Sequence, residues 1–295
     1  MTDTVAFIGL GIMGGPMARN LASAGFHVQA FDLRSNAIEM AVNSGAKAAK
    51  SAGDAVVGAE FVITMLPNSE HVLDVMLGDN KVLEKLDPSS LYIDMSTIAP
   101  TVTDQLAEEM NARGFSMIDA PVGRQSSNAE QGTLLIMVGG EDANIDRAMP
   151  LFNTMGSDIV HCGAVGSGSR MKIVNNYMSI TLNALTAETL NLAEASGLNR
   201  ELVCSVLLGT VAGQGHLSTT YPAKVLQGDL TPGFPIDLAN KDLGLALDFA
   251  SGLETPVSTG KASKDYYDTA SARSFGQNDW TSLYKMMRES DRQPE

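Results

Sequence analysis

The first half of the chain alternates between short apolar runs and segments with helical spacing. Between most of the runs, apolar side chains recur every three or four residues, as in 13–24, 101–112 and 142–155. Near-continuous apolar strands that alternate with helices are typical of a mostly parallel sheet covered on both faces. We therefore predict a doubly wound α/β domain of the Rossmann type over residues 1–163. Its predicted strands lie in the runs 5–10, 27–32, 61–66, 91–96, 115–122, 133–140 and 158–162.

The pattern changes after residue 163. A glycine-rich segment, 163–168, is followed by a long helical pattern from about residue 169 to 195, which ends near Gly197. Residues 164–295 are thus predicted to form an all-helical domain for substrate binding and dimerisation, joined to the first domain by the long helix. Its further helices are predicted at 200–208, 236–252, 257–271 and 279–288.

Composition narrows the functional classes. The chain has 295 residues, which is enough for two domains, and a formal net charge of −14. A strongly acidic protein is a poor ligand for nucleic acid, whose phosphates need Lys and Arg. Apolar runs stay below the roughly 18 residues of a membrane span, and the N-terminus resembles no signal peptide. We expect a cytoplasmic protein without membrane, nucleic-acid or metal partners, since its two cysteines lack metal spacing.

A Gly-x-Gly-x-x-Gly pattern follows the first apolar run. Gly9, Gly11 and Gly14 stand between a predicted strand and a predicted helix, with Ile12 and Met13 inside the loop. In that context the first glycine permits a tight turn and the second lets the backbone approach a pyrophosphate. The third packs helix against strand, and the helix N-terminus attracts the phosphates. These five residues are predicted to bind a dinucleotide.

Asp32 ends the second predicted strand, where a carboxylate accepts hydrogen bonds from the adenosine ribose and repels a 2′-phosphate. The pattern favours NAD(H) over NADP(H), because Arg34 follows this acid and does not replace it. Ligands of parallel sheets bind beyond the carboxyl ends of the strands, although any one residue there can be a plain strand-to-loop transition. The further cofactor contacts predicted on this ground are Met65, Leu66, Pro67 and Thr97.

Lys172 is the candidate acid for reducing a carbonyl, because the developing alkoxide needs a proton. Asn175, Asn176 and Ser179 follow it at spacings of three, four and seven, which place all four on one helical face. A polar face on an otherwise apolar helix indicates a cleft between the domains. The alternative is a polar stripe in contact with solvent.

With these motifs the chain resembles the β-hydroxyacid dehydrogenases, relatives of 3-hydroxyisobutyrate dehydrogenase and tartronate semialdehyde reductase. The shared motifs are GLGIMGGPM at 9–17, DAPV at 119–122, GTL at 132–134, the segment 168–176, KDL at 241–243 and AL at 246–247. The resemblance covers nearly the full length. It implies Lys172 as the catalytic lysine, Asn176 as its partner on the substrate side and Lys241 beside the nicotinamide end of the cofactor.

The chain departs from this family after the DAPV motif. The family usually continues with Ser-Gly-Gly, which holds a substrate carboxylate, whereas this chain has Gly123 and Arg124. An arginine fork suits a larger tetrahedral oxyanion. The alternative is a surface arginine paired with an acid such as Glu130.

Arginine in this loop is similar to the sulfolactaldehyde reductase branch of the family, as are the segments 175–179, 209–216 and 224–230. That resemblance implies that Arg124 and residues 175–179, with Asn175, Asn176 and Ser179, hold the sulfonate and hydroxyls of the substrate.

The reaction predicted from this resemblance is the NADH-dependent reduction of 3-sulfolactaldehyde to 2,3-dihydroxypropane-1-sulfonate, a step of sulfoquinovose degradation. One alternative is a reductase or dehydrogenase for carboxylates such as tartronate semialdehyde, succinic semialdehyde or 3-hydroxyisobutyrate. Another is a nucleotide-sensing protein without turnover. The helix predicted at 169–195 carries more apolar surface than a small helical domain buries, so we also expect a homodimer or homotetramer.

Overall fold

A computed structural model describes residues 3–78, 82–254 and 256–290. The chain divides into two compact units, Met1–Lys172 and Ile173–Glu295, and the boundary falls inside a long helix, α9 (Ser167–Ala195). Each unit is described by itself below.

The first unit is built on a sheet with the strand order β3-β2-β1-β4-β5-β6-β8-β7, and β9 pairs with β8. All pairs are parallel except β6–β8 and β7–β8, which confirms the predicted mostly parallel sheet. The strands are β1 (Thr4–Ile8), β2 (His27–Phe31), β3 (Lys47–Ala48), β4 (Phe61–Thr64), β5 (Leu91–Asp94), β6 (Ser116–Asp119), β7 (Val122–Gly123), β8 (Leu134–Gly139) and β9 (Gly156–Gly163).

Helices cover both faces of this sheet. Strand β1 shows why, because Val5 and Phe7 point into the apolar core on one face while Ala6 and Ile8 point into the core on the other. The helices are α1 (Gly14–Ser23), α2 (Ser35–Val42), α3 (Ala52–Ala55), α4 (Ser69–Leu77), α5 (Val82–Lys85), α6 (Pro100–Ala112), α7 (Ser126–Gln131) and α8 (Asp142–Met155).

Two details of the sheet differ from the sequence prediction. The run 115–122 was predicted as one strand but forms β6 and β7, separated by Ala120 and Pro121. Strand β7 then pairs antiparallel with β8, which turns Gly123 and Arg124 toward the β8 side of the sheet. Strand β3 is short and exposed at the sheet edge, so it has no apolar run that would predict it.

The second unit is helical, as predicted, and its core lies around Tyr221, Tyr267, Trp280 and Leu243. Apart from one isolated bridge between Pro235 and Asp279, no strand pairing occurs among its described residues. Besides the rest of α9, its helices are α10 (Arg200–Leu208), α11 (Thr220–Ala223), α12 (Ile236–Gly252), α13 (Ser258–Ala272) and α14 (Leu283–Ser290), with 3-10 turns at Val211–Gly213, Val225–Gln227 and Trp280–Ser282.

Candidate active site

The glycine loop between β1 and α1 has the backbone geometry of a dinucleotide site. Gly9 has a φ of 98°, and a Cβ there would overlap the carbonyl oxygen of Met65. A Cβ on Gly14 would overlap the carbonyl oxygen of Gly9, so strand and helix meet only because both residues are glycines. A Cβ on Gly11 would meet no atom closer than a guanidinium nitrogen of Arg34 at 4.0 Å. The backbone at Gly11 therefore stays open to a ligand.

Helix α1 begins directly behind this loop without a side-chain cap. Met13 at its N-cap makes no side-chain hydrogen bond, and its first turn carries no acidic residue. Ile12, in the loop, is half exposed. The amides and the positive dipole end of α1 are thus directed to the loop, where a pyrophosphate is stabilised. The residues of this unit fit a dinucleotide.

Asp32 stands beside the loop at the end of β2 and is held from two sides. Its Oδ2 accepts a hydrogen bond from the Leu10 amide at 2.7 Å, and its Oδ1 accepts one from the Arg34 amide at 2.8 Å. The Arg34 Nε lies 3.1 Å from the same Oδ1. Partial burial alone would raise the pKa of Asp32, but the hydrogen bonds from Arg34 and Leu10 outweigh it and lower the pKa. Asp32 is therefore ionised at neutral pH.

The other predicted cofactor residues of the first unit follow the next two strands. Met65, Leu66 and Pro67 come directly after β4, and Thr97 follows β5. The two segments are tied together, because the Leu66 amide donates to Ser96 Oγ at 2.9 Å. The ends of β2, β1, β4 and β5 are neighbours in the sheet, so these residues share one edge with the glycine loop.

A buried polar cluster that the sequence reasoning missed lies under this edge. Asp94 at the end of β5 is buried, and its Oδ1 accepts hydrogen bonds from Thr64 Oγ1 at 2.9 Å and from the Ser96 amide at 3.1 Å. Tyr92 Oη lies 2.8 Å from the same Thr64 hydroxyl. Burial raises the pKa of Asp94 to about 6. The only signal in the sequence was an acid inside an apolar strand.

Lys172 lies in the second turn of α9, still within the first unit, and is partly exposed. The start of α9 is held by Asp119 at the end of β6, which accepts hydrogen bonds from the amides of Gly166 and Ser169 at 2.6 Å each. In the sequence, Asp119 stands out only as the first residue of the DAPV motif, directly after an apolar run. Burial raises the pKa of Asp119.

The remaining polar residues of α9 belong to the second unit and form a hydrogen-bonded group. Asn176 is 5% exposed and its Nδ2 donates to Oδ2 of Asp242 at 2.6 Å. Asn175, which is exposed, donates from its own Nδ2 to Asn176 Oδ1 at 3.2 Å. The Lys241 Nζ forms an ion pair with Asp242 Oδ1 at 2.8 Å. Asp242 thus joins two predicted site residues, although the sequence reasoning assigned it no role.

Ser179 is fixed through its backbone. Its carbonyl oxygen accepts a hydrogen bond from Nε2 of His216 at 2.5 Å, so that nitrogen carries the proton. The other ring nitrogen of His216 lies 2.9 Å from Thr220 Oγ1, and the ring packs edge-on against Trp280. Burial lowers the pKa of His216. The imidazole therefore supports α9 through the Ser179 carbonyl.

The guanidinium of Arg124 is hydrogen-bonded to neighbouring residues of the first unit. Its Nη1 donates to the Thr133 carbonyl at 2.6 Å and to Ser157 Oγ at 2.8 Å, and its Nη2 donates to Asp158 Oδ2 at 2.6 Å. Arg124 thus forms an ion pair with an acid, as the alternative interpretation of the sequence predicted, but the acid is Asp158 and not Glu130. The reason is β9, which runs parallel to β8 and brings Asp158 beside the loop.

The backbone of Arg124 is in the left-handed region, with a φ of 76°. Its neighbour Gly123 is buried on β7, and a Cβ there would make ordinary contacts with Leu135 at 3.5 Å. Space therefore does not require a glycine at 123, whereas the backbone favours one at 124.

Comparison with known proteins identifies the family. A model of the NAD-binding domain of 6-phosphogluconate dehydrogenase matches residues 4–163, and one of the NAD-binding domain of NADP-dependent 3-hydroxyisobutyrate dehydrogenase matches residues 166–287. This chain belongs to the β-hydroxyacid dehydrogenase family. As a member of this family, the chain is an NAD-dependent oxidoreductase. Family membership therefore argues against the alternative of a nucleotide-sensing protein without turnover.

Relatives of this β-hydroxyacid dehydrogenase align over almost its whole length. It is 48% identical to the 3-sulfolactaldehyde reductase of Escherichia coli, over 97% of this chain and 96% of that protein. It is 37% identical to the NAD-dependent L-serine dehydrogenase of Pseudomonas aeruginosa, over 96% and 97% of the two chains. A solved structure of Mycobacterium tuberculosis 3-hydroxyisobutyrate dehydrogenase with L-serine superposes with a TM-score of 0.89 at 34% identity, covering 98% of this chain and all of that one.

The part of the chain that the structure describes contains neither a metal-ligand group nor a membrane-spanning helix. His, Cys, Asp and Glu side chains form no group of three that could hold a metal ion within 3–78, 82–254 and 256–290. Within the same ranges, no helix is both long and apolar enough to traverse a lipid bilayer.

Proposed function

We propose that this enzyme uses NADH to reduce 3-sulfolactaldehyde to 2,3-dihydroxypropane-1-sulfonate. The observation that carries the proposal is Arg124, an arginine with a φ of 76° at a position where the family pattern has glycine. The 48% identity to a relative named 3-sulfolactaldehyde reductase supports the same substrate.

The conformation of Arg124 argues for function because it is unfavourable for a bulky residue. A side chain in the left-handed region costs about 1 kcal/mol or more, which glycine avoids. Three hydrogen bonds from the guanidinium hold the residue there. Because a glycine would satisfy the backbone without this cost, the arginine is best explained by what its charge binds.

The ion pair of Arg124 with Asp158 does not prevent such binding. The Asp158 side chain is 51% exposed, and solvent screens such an ion pair, so the pair contributes little to stability. A sulfonate offers three oxygens to the planar guanidinium. It can therefore bind Arg124 together with Asp158 or take the place of Asp158. This binding fixes the far end of the substrate and thereby the carbonyl carbon.

Lys172 supplies the proton in this proposal. When bound, NADH provides the hydride that adds to the carbonyl carbon. The Lys172 ammonium hydrogen-bonds the carbonyl oxygen, donates a proton to it as the alkoxide forms and is reprotonated from solvent. Asn175, Asn176 and Ser179 hold the hydroxyls and the sulfonate, and Lys241 lies toward the nicotinamide end of the cofactor.

A carboxylate substrate is the second candidate, because relatives at 37% and 38% identity are named L-serine dehydrogenase and 3-hydroxyisobutyrate dehydrogenase. Steady-state kinetics with one panel separates the two. We expect kcat/KM for the NADH-dependent reduction of 3-sulfolactaldehyde to exceed the values for reduction of tartronate semialdehyde and succinic semialdehyde, and for NAD⁺-dependent oxidation of 3-hydroxyisobutyrate, at least tenfold. Preference for any of these carboxylates would refute the proposed substrate.

We also infer that the helical domain, proposed over residues 164–295, assembles with further copies of the chain. Helix α10 has no buried residue, and Leu202 and Val206 on it are 60% and 59% exposed. Leu198 before it and Leu185 on α9 are also exposed. Burying such apolar side chains between copies removes them from water. Light scattering on the purified protein is expected to give the mass of a homodimer or homotetramer.

A further inference from the structure

Asp119 joins the end of β6 to the first turn of α9, the helix that carries Lys172. We propose that Asp119 is a positioning residue for Lys172, acting through the two amides that its carboxylate binds. This inference rests on the proposed role of Lys172. It assigns to the aspartate of the DAPV segment a task in catalysis that requires no contact with the substrate.

The carboxylate acts as a helix cap supplied from another element. The Arg170 amide donates to the Gly166 carbonyl, so Gly166 is the N-cap of α9 and Ser169 is its third helical residue. The amides at these two positions are the ones that a capping box satisfies from within a helix. Gly166 has no side chain for this, and Asp119 binds both amides at 2.6 Å.

Two glycines make room for this arrangement. A Cβ on Gly139 would overlap Oδ1 of Asp119 and lie 2.9 Å from the Gly168 amide. A Cβ on Gly168 would overlap the Met137 carbonyl oxygen and lie 3.0 Å from Oδ2 of Asp119. Strands β6 and β8 and the start of α9 therefore approach this closely only because positions 139 and 168 are both glycines. This arrangement is not a chance contact of one side chain.

The charge of Asp119 matters as much as its shape. Two N–H groups at the positive end of a helix dipole stabilise a carboxylate that burial alone would leave costly. An asparagine would accept from one amide and direct its own N–H groups at the other. The cap therefore requires the ionised acid at this position.

The position of this cap connects the lysine to the sheet. Asp119 pairs in register with Asp94 of β5. Asp94 accepts a hydrogen bond from the Ser96 amide, and the Ser96 hydroxyl accepts one from the Leu66 amide. The α9 cap therefore lies on the sheet edge that carries the predicted cofactor residues. Lys172 follows Ser169 by three residues, about 4.5 Å along the helix axis. A displacement of roughly 1 Å in a reacting group can lower a rate about a hundredfold. The cap is close enough to control the placement of the ammonium.

The test compares Asp119→Asn with Asp104→Asn. Asp104 also loses a charge next to the first turn of α9, but its ion pair with Arg170 is exposed on both sides. We expect Asp119→Asn to lower kcat at least tenfold while the Kd for NADH stays within twofold, and Asp104→Asn to stay within threefold of the wild type in both. Hydrogen exchange should quicken at the amides of Gly166 and Ser169 in Asp119→Asn and stay slow at the Leu10 amide.

Three outcomes overturn the inference: normal kcat in Asp119→Asn, unchanged exchange at both amides, or equal loss of kcat and NADH affinity. If Asp119→Asn does not fold, Gly168→Ala replaces it, because its methyl group displaces the first turn and leaves the carboxylate intact; normal kcat there also overturns the inference. Turnover is measured with whichever aldehyde the wild type reduces fastest. A wrong proposed substrate therefore shows in the wild type alone, and the exchange result is independent of it.

Discussion

The side-chain amide of Asn176 donates a 2.6 Å hydrogen bond to the buried carboxylate of Asp242, which also pairs with Lys241 at 2.8 Å. One acid thus sets the orientation of an amide on α9 and of an ammonium on α12. The proposed function uses Asn176 on the substrate side and Lys241 on the nicotinamide side, so Asp242 connects the two.

Asp242→Asn is expected to lower kcat/KM about ten- to hundredfold. The amide of Asn offers one acceptor oxygen, whereas Asn176 and Lys241 both donate to Asp242. Hydrogen bonds to charged groups contribute about 1.5–3 kcal/mol each. Asp248→Asn, on the same helix but exposed, is the matched control and should stay within twofold of the wild type. Steady-state kinetics and the Tm of both variants check this. An Asp242→Asn enzyme with full activity would show that the pairing has no part in the site.

Lys172→Ala is expected to lower kcat by about a hundred- to ten-thousandfold, the range of a lost general acid. The Kd for NADH, measured through NADH fluorescence, should stay close to that of the wild type, because the glycine loop and Asp32 are unchanged. Lys261→Ala, an exposed lysine on α13, is the control and should turn over normally. Near-normal turnover in Lys172→Ala would remove the lysine from the mechanism.

Asp32→Ser is expected to raise the ratio of kcat/KM with NADPH to that with NADH at least tenfold, because it removes the charge that repels a 2′-phosphate and leaves Arg34 beside it. Arg34→Ala should move the same ratio in the opposite direction. Kinetics with both nucleotides at a fixed aldehyde concentration measures the ratio. If neither variant changes it, selectivity is set elsewhere.

Asp94 should make the stability of the fold pH-dependent. Its pKa is raised by burial from 3.8 to about 6, with Asp119 on the neighbouring strand acting in the same direction and Tyr92 as the other titratable group of the cluster. A raised pKa means that the folded state holds the proton more tightly than the unfolded state. The stability that this proton contributes is complete below about pH 4 and is lost as the pH rises through about 6.

Asp94→Asn keeps an acceptor for Thr64 and Ser96 but does not ionise. Its free energy of unfolding should therefore exceed that of the wild type by about 3 kcal/mol at pH 8, as two pKa units imply, and by much less at pH 4. Urea unfolding at both pH values measures the difference. A difference between variant and wild type that does not change with pH would contradict the raised pKa.

Periodicity was enough to predict the Rossmann sheet and the helical second half, because both follow from which faces are buried. The glycine loop and Asp32 could also be predicted, because their tasks are local to one strand–turn–helix unit. The partners of Arg124 could not, because Asp158 reaches it only through the pairing of β8 with β9.

The roles of Asp94, Asp119 and Asp242 were missed on similar grounds. Each acid is buried by elements distant in sequence and satisfied by amides or hydroxyls that no local pattern marks. An acid within or directly after an apolar run was the only hint that the sequence offered for Asp94 and Asp119. Long-range partners decide whether such an acid supports a site or merely ends a strand.

The most direct test of the account is the specificity of Arg124→Gly. Glycine suits the φ of 76° at this position, so the variant should fold well and lose only the guanidinium. Kinetics of wild type, Arg124→Gly and the control Arg113→Ala, another exposed arginine in an ion pair, are compared on 3-sulfolactaldehyde and on an uncharged aldehyde such as glyceraldehyde. We predict that Arg124→Gly lowers kcat/KM for the sulfonate at least a hundredfold and for the uncharged aldehyde less than threefold, with Arg113→Ala unchanged. Equal losses on both substrates would contradict the account, because Arg124 would then serve the fold and not the recognition of a sulfonate.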